Sequence, residues 1–324
     1  MDTINLQYTA IQVPLPDSIW KNLRSFSAHA NAYHPQPMEL IEKLAQLHNL
    51  PKEMFYLTVG ITEAIQMFAF AYGKHAYTFT PTFCVYADVE EFGGRLTRIP
   101  SIVNNEYKIP INKQSDATLI YLANPNNPAG FTTKENVVHL IENNKQAIVV
   151  IDEAYAEFGD FSVIHEVPKY PHAAVLRSFS KSYGMAGNRI GYIVAHPDIL
   201  KKVKNKTQWA NVSYLSVGAA IAVLGLEKHF EKIRDDIIAE RQSFTEFLKS
   251  KGFSYIPSQI NAALLHFDSE DRANSFTAFL NRHNIIVSQG NADNNIGLDN
   301  SYVRIAIGNH EQMEKVKHVI EKFK

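Results

Sequence analysis

Residues 178–192 read SFSKSYGMAGNRIGY, and they decide how the rest of the chain is interpreted. The apolar residues 173–176 before them indicate a buried strand, and residues 190–195 form a second strand-like run. Lys181 therefore follows a buried strand, where a lysine needs a partner or a chemical role. One such role is a Schiff base with an aldehyde cofactor, because burial and nearby cations favour the reactive neutral amine. Arg189 can supply such a cation and bind a phosphate, although a solvated surface turn is the alternative for this segment.

The composition limits the class of protein and its partners. The chain has 324 residues, of which 45% are hydrophobic, so it can form one large domain or two of moderate size. Its formal net charge of -1 shows no excess of positive charge of the kind that favours binding to nucleic acid or an anionic membrane. The single cysteine, Cys84, excludes an internal disulfide and fits a reducing compartment. Because residues 1–6 lack a signal-peptide pattern and no apolar run is long enough to span a membrane, we expect a soluble cytoplasmic protein.

Short apolar runs alternate with helical segments between about residues 55 and 195. The predicted strands are 55–57, 76–79, 96–99, 118–123, 147–151, 173–177 and 190–195. One intervening helix is predicted over 62–72, and another begins at Thr132, which has the capping-box spacing to Glu135. Such alternation predicts an α/β fold in which helices cover both faces of a mostly parallel sheet.

The pattern changes after about residue 196, where long helices lead into shorter mixed elements. This change predicts a second, smaller α+β domain after the large one. We therefore divide the chain into an N-terminal arm (1–32), a large cofactor-binding domain (33–212), and interdomain helices with a small C-terminal domain (213–324).

Polar residues follow several of the predicted strands, and ligands collect beyond the carboxyl ends of strands in such sheets. Residues 60–63 (GITE) lead into a helix, so the backbone N–H groups of Gly60 and Ile61 and the Thr62 hydroxyl can bind an anion. Asn127 lies in the loop NPNNPAG (124–130), whose prolines and glycine can fix the direction of its amide. An ordinary turn is the alternative for both segments.

Asp152 and Glu153 follow the buried strand that is predicted to end at 151. An apolar strand that ends in two acidic residues also describes the magnesium-binding strand of phosphate-loop ATPases. That interpretation requires G-x-x-x-x-G-K-[ST] upstream, and the only Gly-Lys pair, Gly73-Lys74, lacks this spacing. The histidines show no ligand spacing with acidic neighbours, so no metal site is predicted.

The chemistry that remains is that of pyridoxal phosphate. Asp152 can keep the ring nitrogen protonated, so that the ring withdraws electrons. Asn127 and Tyr155 can donate hydrogen bonds to the ring oxygen, Phe83 can stack on the ring, and Lys181 can form the Schiff base. The predicted phosphate ligands are polar or cationic: Thr62, Ser178, Ser180 and Arg189.

Five motifs in this order resemble those of fold-type I pyridoxal-phosphate aminotransferases, and most closely the histidinol-phosphate aminotransferase group. They are GITE (60–63), NPAG (127–130), DEAY (152–155), SFSK (178–181) and RIG (189–191). The resemblance runs from about Tyr33 to the C-terminus. It implies that Lys181, Asp152 and Tyr155 are catalytic, and that an amino group moves between an L-amino acid or amino alcohol and a 2-oxo acid such as 2-oxoglutarate.

The resemblance also implies a homodimer with shared active sites, in which Tyr33 reaches the phosphate of the cofactor bound by the neighbouring subunit. It implies that Arg304 binds the anionic group of the substrate. Two other functions stay open: decarboxylation of a phosphorylated amino acid, as in threonine-phosphate decarboxylases, and a binding protein of the same fold without turnover.

Two segments differ from those of the histidinol-phosphate group. The early Asn-Glu-x-Pro-x-Gly segment is absent, and Ser288-Gln289 occupies the position after a strand where an arginine usually helps to bind the substrate phosphate. A dianionic phosphate would then meet Arg304 alone, unless Lys21 or Arg24 of the N-terminal arm folds over the site and supplies the missing charge. We therefore expect poor use of histidinol phosphate and a preference for a donor with one carboxylate, such as an aromatic amino acid.

Overall fold

The computed structural model describes residues 3–11, 13–112, 116–292 and 295–323, which build two main sheets covered by helices. The described helices are α1 Asp17–Ser27, α2 Met38–His48, α3 Gly60–Tyr72, α4 Asp88–Glu91, α5 Lys134–Asn143, α6 Pro197–Val203, α7 Tyr214–Leu224, α8 Glu227–Ser250, α9 Glu270–Arg282 and α10 His310–Ile320. The described strands in the first half of the chain are β1 Ile4–Asn5, β2 Phe55–Thr58, β3 His75–Thr80, β4 Thr82–Phe83, β5 Arg95–Pro100, β6 Ile102–Val103, β7 Glu106–Tyr107, β8 Leu119–Ala123 and β9 Ile148–Asp152. Those that follow are β10 Ala173–Ser178, β11 Gly191–Ala195, β12 Ser254–Ile256, β13 Ala262–His266, β14 Ile285–Ile286, β15 Ser288–Gln289, β16 Asn295–Ile296 and β17 Tyr302–Ala306.

The larger sheet has seven strands in the order β2-β11-β10-β9-β8-β3-β5. Its neighbouring strands pair in parallel except at β11, which runs antiparallel to both β10 and β2. The predicted mostly parallel α/β sheet is confirmed. Because β8, β9 and β10 are adjacent and parallel, their carboxyl ends lie at the same edge.

Side chains of the larger sheet alternate between two apolar layers. On β9, Val149 and Ile151 belong to the cluster that includes Leu140 of α5, whereas Val150 belongs to the cluster that includes Phe68 of α3. Helices therefore cover both faces, as the sequence predicts. The same alternation directs Asp152, the last residue of β9, towards the α3 side.

The smaller sheet has four antiparallel strands in the order β12-β13-β17-β15, and α8, α9 and α10 contribute to its core. The N-terminal residues contact this part of the molecule, because β1 pairs in parallel with β14 and Leu6 is fully buried. The division of the chain at residues 32 and 212 stays a prediction.

Helix α3 begins two residues before its predicted start at 62 and ends at 72 as predicted, whereas the predicted cap of α5 is wrong by one residue. Thr133, not Thr132, is the N-cap, and its hydroxyl accepts a hydrogen bond from the Asn136 N–H. Thr132 is buried, and its own N–H donates to the Asn124 side chain at 2.9 Å. It is therefore held in the loop that follows β8.

Among the described residues, no helix is both long and apolar enough to cross a bilayer.

We expect Gly191→Ala to lower the thermal midpoint by several degrees. A Cβ at Gly191 would lie 2.8 Å from the Arg177 carbonyl oxygen and 3.0 Å from the Gly60 carbonyl carbon, and backbone cannot move away cheaply. Such crowding costs about 1–3 kcal/mol. Gly187→Ala is the matched control, because a Cβ there meets nothing within 4 Å. Equal midpoints for the two variants, measured by differential scanning fluorimetry, would contradict this packing.

Candidate active site

A cavity of about 430 Å³ lies at the carboxyl ends of β8, β9 and β10, within the size range of small-molecule sites. Helix α3, the N-terminal segment and β17 close its sides. Most of the predicted site residues line it: Ile61, Thr62, Phe83, Asn127, Asp152, Tyr155, Ser178, Ser180, Lys181, Arg189 and Arg304. The fold thus brings together residues from six separate segments of the chain.

Lys181 lies in the turn after β10, and its ammonium group points into the cavity. Lys181 Nζ donates a hydrogen bond to Thr9 Oγ1 at 2.8 Å, and it lies 5.3 Å from the centre of the Tyr155 ring. Thr9 Oγ1 in turn lies 2.7 Å from the Tyr155 hydroxyl. The amine is therefore held among polar groups.

Asp152 is 4% exposed and faces the same cavity. One carboxylate oxygen accepts from the Tyr86 hydroxyl at 2.6 Å, and the other accepts from the Ala154 N–H at 3.0 Å. Burial raises the pKa of Asp152 to about 6, and these two hydrogen bonds oppose the rise. Burial and the neighbouring carboxylate raise the pKa of Tyr86 well above its usual value, so Tyr86 stays a donor. At neutral pH this site presents an anion that can bind a protonated ring nitrogen.

Donors for an anion also line the cavity. The first turn of α3 contributes Ile61 and Thr62, and Ser178, Ser180 and Arg189 approach from the segments around β10 and β11. Ser178 Oγ accepts a hydrogen bond from the Ser180 N–H at 3.0 Å. These N–H groups, hydroxyls and the guanidinium can together bind a phosphate.

Gly60 acts through its lack of a side chain. It does not line the cavity, but a Cβ there would lie 2.6 Å from Arg189 Nη2. Its φ of +65° also favours glycine. Gly60 thus leaves the space that the Arg189 guanidinium occupies beside the start of α3.

Arg304 lies on β17 of the smaller sheet and is 3% exposed. Nη1 donates to Asn127 Oδ1 at 2.8 Å, and Nη2 donates to the Gln7 carbonyl oxygen at 2.7 Å. These bonds connect the loop after β8 to the N-terminal segment through one guanidinium. They also fix the cation at the cavity wall.

A buried ion pair lies behind the site, on the other face of the same strands. Arg177 Nε lies 2.9 Å from Glu153 Oε2, and Arg177 Nη1 donates to Glu157 Oε1 at 2.7 Å. Burial raises the pKa of Glu153, and the Arg177 cation opposes that rise. Since Arg177 precedes Ser178 and Glu153 follows Asp152, the pair joins the ends of β9 and β10.

Tyr33 lies away from the cavity of its own chain. Its side chain is 80% exposed, and its ring centre lies 5.5 Å from that of Trp209, which is 67% exposed.

Within the described residues, no group of three or more histidine, cysteine or acidic side chains is arranged to hold a metal ion.

Sequence reasoning missed several residues that line the cavity, chiefly Tyr8, Thr9, Ala10 and Tyr86. A weak signal existed for Tyr86, because it follows Phe83 by three residues and can therefore share its side of a short helical turn. No sequence signal indicates that Thr9 lines the cavity, since its position depends on the pairing of β1 with β14, far away in the sequence.

The sequence matches the family described as aminotransferase class I and II over residues 3–323. It is 28% identical over 302 residues to a histidinol-phosphate aminotransferase of Clostridium botulinum (strain Okra / Type B1), with 88% of this chain and 82% of the relative covered.

Two solved structures have closely similar folds. One is the histidinol-phosphate aminotransferase of Sinorhizobium meliloti in complex with pyridoxal-5'-phosphate, with a TM-score of 0.87, 22% identity, and 99% of this chain and 92% of the other covered. The other is the L-threonine-O-3-phosphate decarboxylase of Porphyromonas gingivalis, with a TM-score of 0.85, 26% identity and 99% of both chains covered.

The raised pKa of Asp152 predicts a pH-dependent gain in stability for Asp152→Asn in the ligand-free protein. The carboxyl titrates at 3.8 when unfolded and at about 6 when folded, so its contribution to stability is present below 3.8 and is lost as pH rises through 6. The variant should therefore gain about 2 kcal/mol relative to the parent between pH 4.5 and pH 7.5, measured by denaturant unfolding. A stability difference that does not change with pH would show that Asp152 does not carry this cost.

Proposed function

The chain belongs to the aminotransferase class I and II family, and on this premise we propose how its own residues carry out the reaction. The family confirms the predicted enzyme class and cofactor: the protein is a pyridoxal-phosphate-dependent aminotransferase. The observation that supports the residue assignments is one cavity whose wall contains Lys181, the buried carboxylate of Asp152, and Arg189 with neighbouring hydroxyls.

The donor set of this cavity fits the cofactor. Asp152 offers a buried acceptor for the ring nitrogen, and Arg189 with its neighbouring hydroxyls offers cationic and neutral donors for the phosphate. The missing Cβ of Gly60 leaves room for the guanidinium at that end. Phe83 supplies an apolar surface for the ring.

Pyridoxal phosphate supplies an aldehyde that bonds to amines and a ring that accepts electrons from the substrate α-carbon. Lys181 would hold the aldehyde through its Nζ. When a substrate amine is bound instead, the free Nζ would be the group that removes the proton from the substrate Cα and later donates it. Asp152 would hold the proton on the ring nitrogen, because a carboxyl with a pKa of about 6 is ionised at neutral pH. Tyr155 would donate a hydrogen bond from its hydroxyl to the ring oxygen.

We predict that borohydride reduction of the loaded enzyme fixes the cofactor on Lys181. Peptide mapping by mass spectrometry identifies the modified lysine. Lys202→Ala is the matched control, since Lys202 lies on the surface of α6 over the Tyr72 ring, and it should leave the adduct unchanged. Lys181→Ala should abolish it. An adduct on any other lysine would overturn the site assignment.

The choice of amino donor depends on the cations available to it. Among the described residues, the cationic side chains that line the cavity are Lys181, Arg189 and Arg304. With Arg189 assigned to the cofactor phosphate and Lys181 to the amine chemistry, Arg304 alone is left for the substrate anion. Lys21 and Arg24, which could have supplied a further charge, are exposed on α1 and do not line this cavity.

Ser288 and Gln289 do not replace the missing arginine. Ser288 pairs with Arg304 in the sheet, but its hydroxyl donates to the Ala292 carbonyl at 3.3 Å, and Gln289 donates to Asn274 and to the Asn300 carbonyl. Neither residue lines the cavity. A monoanionic carboxylate needs only the planar fork of one arginine. We infer that the donor carries one carboxylate and no phosphate, and the aromatic ring of Tyr8 in the cavity wall favours an aromatic amino acid.

We predict a lower kcat/KM for histidinol phosphate than for phenylalanine, tyrosine or histidine, with 2-oxoglutarate as acceptor. One charge-assisted contact fewer costs about 1.5–3 kcal/mol, or roughly ten- to a hundredfold in affinity. Steady-state kinetics on this panel measure the ratio. A clear preference for histidinol phosphate, the substrate in the name of the Clostridium botulinum relative, would refute the argument from the missing arginine.

Decarboxylation of a phosphorylated amino acid is the second candidate, because the Porphyromonas gingivalis decarboxylase shares the fold at 26% identity. The two reactions differ in which Cα bond breaks. Release of carbon dioxide from threonine phosphate, without consumption of a 2-oxo acid, would favour this candidate over transamination.

We also propose that the working unit is a cytoplasmic homodimer whose active sites are shared. The support is a set of exposed aromatic residues on and beside α3, namely Tyr33, Trp209, Phe70 and Phe92. Phe70 and Phe92 lie on one groove with Lys206 and Asn211, and their ring centres are 5.6 Å apart. Such a surface suits a second copy of the chain, which would cover it.

If Tyr33 serves the neighbouring active site, two inactive variants should complement each other. A Lys181→Ala subunit can lend Tyr33 to a Tyr33→Ala subunit, so mixed dimers should recover activity at one of their two sites. Activity is measured after subunit exchange, which labelled subunits verify independently. Exchange without recovery would mean that Tyr33 acts within its own chain or not at all.

A further inference from the structure

The N-terminal segment brings one polar side chain to the amine of Lys181. Thr9 Oγ1 lies 2.8 Å from Lys181 Nζ and 2.7 Å from the Tyr155 hydroxyl, and Thr9 is only 4% exposed. The hydroxyl therefore bridges two residues that the mechanism uses. Residues 8–10 also form part of the cavity wall.

The backbone around Thr9 is fixed by the smaller sheet and the elements beside it. The Leu6 N–H donates to the Ile286 carbonyl at 2.8 Å, and the Leu6 carbonyl accepts from the Ala306 N–H at 3.0 Å. The Thr9 carbonyl accepts from the side chain of the fully buried Asn261 at 3.1 Å. The position of the hydroxyl is thus set by the main chain and not by a flexible side chain.

The hydrogen bonds of Thr9 with Lys181 and Tyr155 leave the hydroxyl proton of Tyr155 available to a ligand in the cavity. A threonine hydroxyl has one proton and two acceptor sites. When Thr9 Oγ1 accepts from Lys181 Nζ, its own proton can be donated to the Tyr155 oxygen. The proton of Tyr155 is then free to be donated into the cavity, which is the direction that the proposed role of Tyr155 requires.

We propose that Thr9 is a positioning residue that holds Lys181 Nζ, and through the bridge the Tyr155 hydroxyl, in the geometry that the reaction needs. The N-terminal segment thereby becomes part of the active site. This inference rests on the proposed role of Lys181. Misplacement of a reacting group by about 1 Å can cost up to roughly a hundredfold in rate, so a single hydrogen bond to the amine matters.

The test compares Thr9→Val, which keeps the shape without the hydroxyl, with Thr9→Ser, which keeps the hydroxyl. Stopped-flow absorbance measures how fast cofactor-free protein captures pyridoxal phosphate covalently. Titration with pyridoxamine phosphate, which has no aldehyde and cannot bond to a lysine, measures whether the cavity itself is intact. We expect Thr9→Val to capture about tenfold more slowly, with pyridoxamine phosphate affinity within about twofold of the parent. Thr9→Ser should restore the capture rate.

The loaded enzyme gives a second readout: kcat should fall in Thr9→Val while KM for the amino donor stays unchanged. Capture by Thr9→Val at the parental rate would overturn the inference, and so would loss of pyridoxamine phosphate binding, which would indicate a merely structural residue. Lys181→Ala distinguishes a failure of the proposed role of Lys181 from a failure of the role of Thr9. If it still captures the cofactor covalently, the proposed function itself is wrong, whereas a capture defect in Lys181→Ala with a normal Thr9→Val removes only the role of Thr9.

Discussion

The site depends on a carboxylate that is kept ionised inside the protein. Asp152 ends a buried strand, where removal from water favours the neutral acid, and its pKa rises to about 6 for that reason. The Tyr86 hydroxyl and the Ala154 N–H, which donate to its two oxygens, keep the anion available at neutral pH. Behind it, the ion pair of Glu153 with Arg177 fixes the ends of β9 and β10. In the proposed role of Asp152, this cost in stability falls where the cofactor ring requires a negative charge.

Strand order explains how distant segments meet at this anion. Parallel neighbours β8, β9 and β10 place Asn127, Asp152 and Lys181 at one edge, although their sequence positions span more than 50 residues. Successive residues at the strand ends face opposite sides of the sheet. Asp152 and Ser178 face the cavity, whereas Glu153 and Arg177 form an ion pair on the other side. The smaller sheet adds Arg304 and, through β1, the N-terminal segment. The cavity is therefore closed by both sheets.

The sequence alone predicts the larger sheet and the residues around Lys181, because apolar runs and polar residues at strand ends are local signals. It does not predict Thr9, whose contact with Lys181 depends on a strand pairing across about 280 residues. Tyr86 is hidden for a related reason: an aromatic residue in a short helical turn normally indicates core packing, and only the fold shows its hydroxyl against Asp152. The position of the α5 cap at Thr133 depends on the burial of Thr132, which no local pattern reveals.

The protonation state of the cofactor ring nitrogen tests the account most directly. Nitrogen-15 NMR of the enzyme loaded with pyridoxal phosphate labelled at the ring nitrogen reports whether that nitrogen carries a proton. With Asp152 ionised against it, the account predicts the chemical shift of a protonated pyridine nitrogen at pH 7.5, and a shift to the unprotonated position in Asp152→Asn. An unprotonated nitrogen in the parent enzyme would contradict the role of Asp152, and with it the explanation of why this carboxylate is buried here.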